Sequence, residues 1–558
     1  MARKLLLIGL FALVAAPCAQ ARPVQLMPGV TYDHRLEWTP AGPVSTYVVV
    51  APKPGGLYSL TPLLSNNTIV GRETVSSMER RISTQMTTVG VNGDFFNWAG
   101  GWPSGLLMQG GVLEHHPADG RAAVGIDSAG TLHVDRVGWF ASWRGPSTLD
   151  YPVAQLNEPP RGNATSLFTP AWGATTPAVK GVAAVLSPFP PTTPATDLVG
   201  DVTAVVSNSP VAIPRGGAVL VARGAAAAAL QSDAIVGGQV RVRIQLSPDW
   251  RAITGAVSAG PSLVMNGKPV GRSGEALTTD QLFGRNPRTA VGQRADGAIV
   301  FVAADGRRPG WSVGITNSDL ALMLMRYGCV TGFALDSGGS TTVAFDGAVL
   351  NRPSDPGGER PVAEALVVGY AGVFAPSPAP TLSPNGDAIG DRESLRYKLV
   401  RPSSVTAQVV APDGTARDVD SGTKQPGRYT LAWDGADAAE GRYRWSVSAT
   451  DDLGRSSTAE RTFTLDKTLG FPRVARNART IVFTLTRDAA IRVTIEDAYG
   501  GILRTVASGR RAAGSVTAVW NGRDGRRKLV RSGTYVVRIA ATSTIGLSEL
   551  RLPLRVRR

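Results

Sequence analysis

The sequence predicts an α+β fold: a strand-rich first domain that contains a β-α-β unit, followed by two all-β sandwich domains of the immunoglobulin-like class. Three observations support this prediction. Short apolar runs alternate with Gly and Pro turns over residues 121–260, which is typical of antiparallel sheets. A strand–helix–strand pattern occupies residues 298–335. The last third of the chain contains two copies of one strand-rich unit.

Length and composition indicate a large folded protein. The chain has 558 residues, of which 43% are hydrophobic and 18% are charged, and this balance is typical of globular domains. The length allows three or four domains, each with its own core. The net charge is +15, and the sequence has no Lys/Arg run of the nuclear-localisation type and no nucleic-acid-binding motif. We therefore expect affinity for an anionic cell envelope and no nucleic-acid partner.

Residues 1–21 have the pattern of a secretory signal peptide. A positively charged start precedes an apolar segment over residues 5–16, and a small-residue cleavage site ends at Ala21. The apolar segment is too short to span a bilayer, and no other long apolar run follows. We therefore expect a secreted or envelope-associated protein without a transmembrane segment. Lipidation of Cys18 is an alternative, which the preceding proline disfavours.

The first polar residues of interest follow an early strand. An apolar strand is predicted over residues 47–50, and a weak helix over residues 77–86 leads into a second strand. That strand delivers Asn92, Asp94 and Phe96. Polar groups beside aromatic rings suit a sugar site, because ring faces pack on the sugar while polar groups bind its hydroxyls. A turn that buries two phenylalanines is the alternative.

Two adjacent histidines, His115 and His116, come next. Neighbouring residues of a strand point to opposite faces, so we predict that this pair does not chelate a metal. Either histidine is a candidate for acid–base chemistry, with a solvated loop as the alternative.

Two aspartates end the two strands of the β-α-β pattern. The apolar run 298–304 stops at Asp305, and the run 330–335 stops at Asp336. A crossover helix between two strands normally makes them parallel neighbours. Both aspartates would then lie at the carboxyl ends of parallel strands, where open α/β sheets bind ligands.

The helix between these strands has recognisable ends, and the loop after the second strand suits an anion. Thr316 and Asp319 form a capping box at the start of the helix, and Gly328 follows its end. Directly after Asp336 come glycines and hydroxyl residues whose backbone N–H groups are open to close approach. The candidates in this loop are Gly338, Gly339, Ser340 and Thr341.

Several blocks, in the same order and spread over most of residues 45–370, resemble the phosphodiester glycosidase family. They read VNGDFFNWAGGWPSGLLMQGGVL, AVSAGPSLVMNGKPV, RNPRTAVG, VAADGR, FALDSGGSTT and PSD…ERPV. The family includes the lysosomal uncovering enzyme, which removes N-acetylglucosamine from a mannose phosphodiester. Asp94 and Ser337 stand where the family usually has glycine, and both departures bear on substrate choice.

The resemblance implies an exported hydrolase that cleaves a glycosyl-phosphodiester linkage in an envelope or extracellular glycan. For that reaction we predict Asp336 as the central carboxylate and Asp305 as the second one. Arg288 is the best phosphate ligand, because its guanidinium can bind two oxygens at once; an ion pair with one of the aspartates is the alternative. Asp355 and Arg360, on a Gly/Pro-rich loop, complete the substrate-binding candidates.

Two other functions remain open. The chain is a non-catalytic envelope-binding or adhesive protein if the site has lost activity. It is a metal-dependent phosphodiesterase if a metal drives the chemistry, but the sequence has no His/Asp cluster at metal-ligand spacing, so we expect no metal at the site.

The domain boundaries follow from composition. Residues 375–384 are Pro-rich and are predicted to form a semi-rigid linker. This divides the chain into a catalytic domain over residues 22–374 and two repeats over residues 385–467 and 468–558.

The repeats match each other at four places. Tyr397-Lys-Leu corresponds to Phe483-Thr-Leu, Val405 to Ile491, Trp433-Asp-Gly to Trp520-Asn-Gly, and Gly441-Arg-Tyr to Gly533-Thr-Tyr. Short alternating strands predict immunoglobulin-like sandwiches. The repeats resemble the Ig-like module of flagellar hook-capping proteins. At their start, Asn385, Asp387 and Asp391 are weak candidates for Ca²⁺ ligands, with a solvated turn as the alternative, and we expect no other cofactor.

Overall fold

The computed structural model describes residues 23–557 except 209, 272–273, 436, 476–478 and 499. The predicted signal peptide therefore lies outside the described residues. Across the described part of the chain, none of the helices has both the length and the apolar character needed to cross a membrane.

The N-terminal domain contains 26 strands and four α-helices in the described residues. The helices are α1 (Val75–Ile82), α2 (Ala225–Asp233), α3 (Thr279–Phe283) and α4 (Asn317–Arg326). The strands are β1 (Val24–Met27), β2 (Val30–Thr39), β3 (Gly42–Ala51), β4 (Tyr58–Leu64), β5 (Thr87–Asn92), β6 (Leu107–Gln109), β7 (Val112–His115), β8 (Ala122–Asp127), β9 (Leu132–Arg136), β10 (Gly138–Arg144), β11 (Tyr151–Pro152), β12 (Gln155–Leu156), β13 (Thr165–Phe168), β14 (Val182–Leu186), β15 (Asp197–Ser207), β16 (Ala218–Ala222), β17 (Gln239–Ser247), β18 (Ile253–Ser258), β19 (Ser262–Met265), β20 (Lys268–Pro269), β21 (Arg288–Arg294), β22 (Ile299–Ala304), β23 (Cys329–Ala334), β24 (Val343–Phe345), β25 (Ala348–Val349) and β26 (Glu364–Tyr370).

Two sheets share a central core and position the site. The first has the strand order β1-β2-β3-β22-β21-β23-β19-β20, and the second has the order β25-β24-β5-β26-β4. In β22 the side chain of Phe301 enters the shared core, whereas Val300 and Val302 pack on the α4 side. Helix α1 covers the outer face of the second sheet through Val75 and Met78. Because both faces of β22 are covered, its sequence is continuously apolar.

The remaining two sheets of this domain are almost wholly antiparallel. They have the orders β11-β10-β17-β15-β14-β16-β13-β12 and β7-β6-β18-β8-β9. Only the two-residue pairing of β12 with β13 is parallel. In β17 the side chains alternate between buried and exposed along the whole strand, as one covered face and one solvated face require. This agrees with the antiparallel patterning predicted for residues 121–260.

The strand–helix–strand unit forms, but its two strands are not neighbours. Strand β21 lies between β22 and β23 and pairs antiparallel with each of them. The two strands therefore run in the same direction with one strand between them, and the prediction of parallel neighbours is wrong. The physical reason is that a short turn joins β21 to β22, so these two strands form a hairpin. Strand β21 then occupies the edge of β22 at which β23 would have to pair as a parallel neighbour.

Both ends of α4 agree with the prediction. The Thr316 side chain accepts from the backbone N–H of Asp319, and the Asp319 side chain accepts from that of Thr316, which completes the capping box. Gly328 follows the helix with a φ of 82°, a left-handed conformation that glycine adopts without strain.

The C-terminal part consists of two sandwiches of strands. The first contains β27 (Thr381–Leu382), β28 (Glu393–Leu399), β29 (Ser403–Val410), β30 (Ala416–Lys424), β31 (Gly427–Trp433), β32 (Gly441–Asp451) and β33 (Ser456–Leu465). The second contains β34 (Leu469–Val474), β35 (Thr480–Leu485), β36 (Ala489–Glu496), β37 (Ile502–Arg511), β38 (Gly514–Val519), β39 (Gly533–Thr542) and β40 (Leu547–Val556). The sheets are β27-β33-β32-β29-β30 with β28-β31, and β34-β35-β38 with β37-β36-β39-β40.

Matching residues of the two repeats occupy matching places. Tyr397 on β28 and Phe483 on β35 are both fully buried, and β32 and β39 both begin at the glycine of the shared Gly-x-Tyr pattern. The central tryptophans differ, because Trp520 is buried in the second core while Trp433 is only partly buried. In the first sandwich Trp445 takes the central place.

The Pro-rich stretch, predicted as a semi-rigid linker, packs on the first sandwich. Ala375 is buried in the core of the first sandwich together with Val373 and Leu382. Thr381 and Leu382 form β27, which pairs parallel with β33. Burial of Ala375 near its start and of Leu382 near its end holds the stretch against the sandwich.

The sandwiches contact the N-terminal domain through charged groups. The Lys398 ammonium on β28 is almost fully buried and lies 2.8 Å from a carboxylate oxygen of Asp346, in the turn between β24 and β25. The buried Arg461 guanidinium on β33 donates to the backbone carbonyls of Gln25 and Leu26. Asp497 of the second sandwich pairs with Arg352.

The buried ion pair between Lys398 and Asp346 generates a stability prediction. We expect Lys398→Ala to lower the free energy of unfolding by ~3 kcal/mol, because it leaves the partly buried Asp346 carboxylate with the more exposed Arg428 as its one ion-pair partner among the described residues. Arg444→Ala is the matched control, since it removes an exposed cross-strand ion pair in the same sandwich and should cost less than ~1 kcal/mol. Urea unfolding of both variants decides the matter, and equal costs would contradict the prediction.

Candidate active site at the carboxyl ends of β5 and β23

Asn92, the last residue of β5, is a fully buried hydrogen-bonding hub. Its side-chain amide donates to the backbone carbonyl of Asp336 at 2.9 Å. Its carbonyl oxygen accepts from the Thr289 hydroxyl at 2.8 Å and from the backbone N–H of Thr342 at 3.2 Å. A second link joins the backbone N–H of Asp336 to the carbonyl of Gly93. These bonds place the end of β23 directly beside the end of β5.

Asp94 lies in a buried ion cluster two residues further on. Arg121, just before β8, donates both terminal nitrogens to the Asp94 carboxylate at 3.1 and 3.2 Å. The backbone N–H of Asp94 donates to a carboxyl oxygen of Glu364, at the start of β26. All three side chains are less than 10% exposed. One buried cation therefore faces two buried carboxyl groups.

The charge imbalance in this cluster fixes the protonation of Glu364. Burial, together with the nearby Asp94, raises the pKa of Glu364 well above its usual value. Burial also raises the pKa of Asp94, but the Arg121 guanidinium and the backbone N–H of Phe95 oppose this effect. Asp94 is therefore the ionised member of the pair, and Glu364 holds the proton at neutral pH.

Asp336 is the third carboxyl group at this edge, and it is poised near neutrality. Burial raises the pKa of Asp336 to about 7, and the negative charge of Asp94 acts in the same direction. Hydrogen bonds from Ser340 and from the backbone N–H of Ser337, together with the charge of Arg360, oppose the rise. A carboxyl group with a pKa near the working pH can both give and take a proton.

Two guanidinium groups lie against the glycines that follow Asp336. A Cβ atom at Gly339 would come within 1.9 Å of Arg360 and 2.0 Å of Asp355, so only glycine allows this approach. A Cβ atom at Gly338 would lie 3.0 Å from Arg307. Arg360 is itself oriented by a two-pronged ion pair with Asp355, at 2.7 and 2.9 Å. The glycine loop is therefore buried beneath two guanidinium groups, one of them paired with Asp355, and it lies beside a titratable carboxyl group.

An aromatic surface adjoins the arginines. The ring of Trp98 is 64% exposed, and the Arg360 guanidinium lies 5.1 Å from its centre. Phe96 packs beside Trp98, with the ring centres 5.1 Å apart, and Arg72 lies over both rings. Phe96 itself is buried against the α1 side of the sheet, so the exposed ring of this pair belongs to Trp98.

Asp305 lies at the same edge of the first sheet, but its carboxylate has other partners. It accepts from the Tyr47 hydroxyl at 2.9 Å, the Trp311 indole at 2.8 Å and the Asn351 amide at 3.1 Å. It also accepts from the backbone N–H of Arg352. Burial raises the pKa of Asp305, and these hydrogen bonds oppose the rise. Four donors give Asp305 a structural task, which holds the loop after β25.

Arg288 is also engaged in holding structure. Its guanidinium donates to the backbone carbonyls of Asp280, Gln281 and Gly284, at the end of α3. It is 2% exposed, and burial lowers the pKa of Arg288 to about 10. These contacts add donors to the carbonyl groups at the end of this short helix. The geometry thus favours Arg307 and Arg360 over Arg288 as groups that face a ligand.

The fold brings together most of the predicted site residues and adds four that the sequence reasoning missed. Asp94, Asp336, Ser340, Asp355 and Arg360 lie around the glycine loop, while Thr341 is buried behind it. The additions are Arg121, Glu364, Trp98 and Arg72. Arg121 and Glu364 carry one usable signal: each is a charged residue at the start of a mostly apolar, buried strand, where a charge needs a partner.

Two predictions outside this site have separate outcomes. The rings of His115 and His116 stack with their centres 4.5 Å apart, so they do not point to opposite faces. The reason is that β7 ends at His115, and the alternation of a strand does not extend to His116. The carboxylates of Asp387 and Asp391 accept backbone N–H groups, as in a structured turn; a Ca²⁺ role for them and Asn385 stays a prediction.

Comparison with known proteins yields two matches to family models. Residues 195–369 match the phosphodiester glycosidase family, and residues 475–544 match the FlgD Ig-like domain. The first match includes Asp336, Arg360 and Glu364. Asn92, Asp94 and Arg121 precede the matched residues in the sequence, and the fold places them beside Asp336 and Glu364.

Three relatives illustrate the range of similarity. A stretch of 108 residues is 40% identical to the SPbeta prophage-derived uncharacterized protein YomE of Bacillus subtilis, covering 19% of this chain and 16% of YomE. A hypothetical protein from Synechocystis has 24% identity and a TM-score of 0.52, with 63% of this chain and 64% of that chain covered. The catalytic domain of zebrafish N-acetylglucosamine-1-phosphodiester alpha-N-acetylglucosaminidase has 13% identity and a TM-score of only 0.32, over 63% of this chain and 85% of that chain.

These relatives match only part of this chain, and this chain spans less than two thirds of the length of YomE and of the Synechocystis protein. The Synechocystis structure supports the fold alone. The segment that carries Asp336 and its glycine loop is thus similar to the phosphodiester glycosidase family, and the second sandwich is similar to the FlgD Ig-like domain.

Proposed function

We propose that this protein hydrolyses glycosyl-phosphodiester linkages of an extracellular or envelope glycan. One observation carries the proposal: a buried carboxyl group with a pKa of about 7 stands directly before a glycine loop lined by two guanidinium groups. A phosphodiester needs cations and N–H donors on its phosphate and a titratable carboxyl group at the bond that breaks. The family match over residues 195–369 supports the same reaction class.

Asp336 is the acid–base group in this proposal. The bond between the anomeric carbon and the phosphate oxygen breaks, and water supplies the oxygen that ends on the sugar. Phosphate is a weakly basic leaving group, so its departure needs less protonation than that of an alcohol, and a single carboxyl group beside cations suffices. Ser340 and the backbone of Ser337 orient Asp336 through their hydrogen bonds.

The other groups bind and position. Arg307 and Arg360 face the glycines and bind the phosphate, and Asp355 holds the Arg360 fork in place. The exposed ring of Trp98 offers a flat apolar face for the sugar. The ionised Asp94, next to Asp336, stabilises the positive charge that develops on the sugar ring in the transition state.

The decisive experiment uses α- and β-linked hexosyl and N-acetylhexosaminyl phosphodiesters in ¹⁸O-labelled water. Glycosidase chemistry places the label on the sugar hydroxyl, whereas phosphodiesterase chemistry places it on the phosphate. Label on the phosphate would overturn the proposed bond cleavage. No release from any substrate, combined with tight binding of the same compounds, would favour the non-catalytic, envelope-binding function.

Asp336→Asn should lower kcat by about 10²–10⁴-fold, because the amide cannot exchange a proton with the substrate. The exposed Asp249→Asn is the matched control, since it makes the same chemical change in a surface turn. Turnover of Asp336→Asn that equals the control would remove Asp336 from the mechanism.

The same variant should also change how stability depends on pH. The pKa of Asp336 is raised from 3.8 to about 7 on folding, so the folded protein keeps a proton that the unfolded chain releases between these values. Its contribution to stability therefore falls as pH rises from about 4 to about 7. Asparagine removes this dependence, and the variant should gain up to ~4 kcal/mol relative to the wild type between pH 4 and pH 8. If the difference in unfolding free energy between the variant and the wild type is the same at pH 4 and pH 8, the pKa of Asp336 is not raised.

Glu364→Gln should keep activity within about threefold of the wild type, because a neutral amide replaces a carboxyl group that already holds its proton. Glu364→Ala should cost ~1–3 kcal/mol of stability, because it leaves the buried N–H of Asp94 without its acceptor. Steady-state kinetics and thermal unfolding of both variants test the assignment. A glutamine variant as impaired as the alanine variant would show that Glu364 works in its ionised form.

Arg307→Ala should raise KM about 10–100-fold, the loss expected for a charge-assisted bond to phosphate. Arg326→Ala, which removes an exposed guanidinium from the last turn of α4, is the control. If Arg307→Ala behaves like this control and Arg288→Lys raises KM instead, then the phosphate role belongs to Arg288, as the sequence predicted.

A further inference from the structure

A second polar cluster lies behind the proposed site and is not used in the mechanism above. It consists of His115 at the end of β7, His116 directly after it, and Glu158 in the loop after β12. One ligand atom from each of these residues lies within 4.8 Å of the other two. His115 is fully buried, and among the described residues its Nε2 atom has no hydrogen-bond partner.

The opposite nitrogens of the two rings are already engaged. His115 Nδ1 lies 2.8 Å from the carbonyl oxygen of Gly105, to which it donates. His116 Nδ1 lies 3.3 Å from the carbonyl oxygen of Leu156 and 3.4 Å from the backbone N–H of the same residue, so it donates to the carbonyl in one tautomer and accepts from the N–H in the other. The tautomer that donates is the one that leaves Nε2 free for a metal. When Nδ1 carries the proton, Nε2 presents a lone pair. Metal-ligating histidines have this arrangement, in which the second nitrogen donates to a backbone carbonyl.

Both free nitrogens face the same carboxylate oxygen. Glu158 Oε2 lies 3.4 Å from His116 Nε2 and 3.9 Å from His115 Nε2. A tetrahedral ion with bonds of about 2.0–2.1 Å holds its ligands about 3.4 Å apart, so the His116–Glu158 separation matches. The His115–Glu158 separation is slightly longer, and rotation of the two stacked rings brings both Nε2 atoms onto one ion. The other oxygen of Glu158 binds the exposed Arg161, which orients the carboxylate.

The charge state of the cluster suits a cation. Burial lowers the pKa of His115 well below its usual value, and burial also lowers the pKa of His116, so both rings are neutral at pH 7. Two neutral imidazoles and one carboxylate form a donor set for borderline divalent ions such as Zn²⁺, whereas Ca²⁺ and Mg²⁺ prefer oxygen ligands.

The geometry points to a divalent transition-metal site formed by Nε2 of His115, Nε2 of His116 and Oε2 of Glu158. A metal there ties the end of β7 to the loop after β12. It also fixes the His115 ring, which donates a hydrogen bond to the carbonyl of Gly105. The backbone N–H of Gly105 in turn donates to the Asp94 carboxylate. The site is therefore a structural support for the buried ion cluster, and it takes no direct part in breaking the glycosidic bond.

Metal binding is measured on the full chain, purified without a histidine tag and stripped with a chelator. Zn²⁺ is titrated in competition with a chromogenic chelator, and Co²⁺ is titrated by its visible absorption. We expect one equivalent bound with a Kd of micromolar or tighter, an intense tetrahedral Co²⁺ spectrum, and a rise in the thermal midpoint on adding Zn²⁺.

Three variants separate this site from its alternatives. Glu158→Gln and His116→Ala should each weaken Zn²⁺ binding by at least a hundredfold, whereas His133→Ala, which removes an exposed histidine paired with Asp127, should leave it unchanged. Circular dichroism of the metal-free variants checks their folding. If His116→Ala does not fold, the isosteric Glu158→Gln variant alone provides the test.

Two results would overturn the proposal. One is a Kd of the wild type for Zn²⁺ above about 100 µM, together with a thermal midpoint that depends on pH but not on Zn²⁺. That result would show that the cluster is only a histidine–glutamate ion pair. The other is unchanged binding in Glu158→Gln. These measurements need no substrate, so their failure is distinguishable from failure of the proposed hydrolase function.

Discussion

The side-chain amide of Asn92 fixes the relative position of the two sheets that form the site. An amide donates and accepts at once, so one residue satisfies the Asp336 carbonyl, the Thr289 hydroxyl and the Thr342 N–H, all of them buried. Without Asn92 these groups would lie in the core without partners, at a cost of ~1–3 kcal/mol each. The spacing of Asp94 and Asp336, and hence the pKa of Asp336, depends on this joint.

Gly93 makes the joint possible. A Cβ atom at this position would lie 2.8 Å from the side chain of Glu364, so any other residue would push β5 and β26 apart. The carbonyl of Gly93 also accepts from the N–H of Asp336. Three carboxyl groups thus converge on one edge with Arg121 as the buried cation, and burial compels two of them to bind protons near neutral pH.

Local patterns predicted the elements of the fold well, because each depends on neighbours in the sequence. The capping box of α4, the glycine after it and the matching strands of the two repeats are examples. Strand order could not be predicted in the same way. The apolar periodicity of β22 and β23 shows that both are buried, but it carries no information about which strand lies between them. The proline content of residues 375–384 likewise concealed the apolar side chains that hold them in place.

The candidate site was predicted in part for the same reason. Asp305 and Asp336 have the same local signal, an aspartate that ends an apolar strand. They differ in partners that come from distant segments, such as Tyr47 and Trp311 for Asp305. Asn92 was predicted to bind a sugar. In the structure its amide is fully buried and has three protein partners, so it holds other residues in position. Tertiary contacts decide which polar group faces a ligand. These contacts cannot be predicted from the spacing of residues in the sequence.

The contact between Arg352 and Asp497 has a consequence for the order of events during synthesis. The Arg352 guanidinium stacks on Trp311 at 3.7 Å and binds Asp497 at 3.1 Å, while its backbone N–H holds Asp305. Asp497 leaves the ribosome long after the loop that carries Arg352. The loop therefore acquires this partner only after translation has entered the second sandwich, and the newly made N-terminal domain matures in two stages, first its sheets and then this loop.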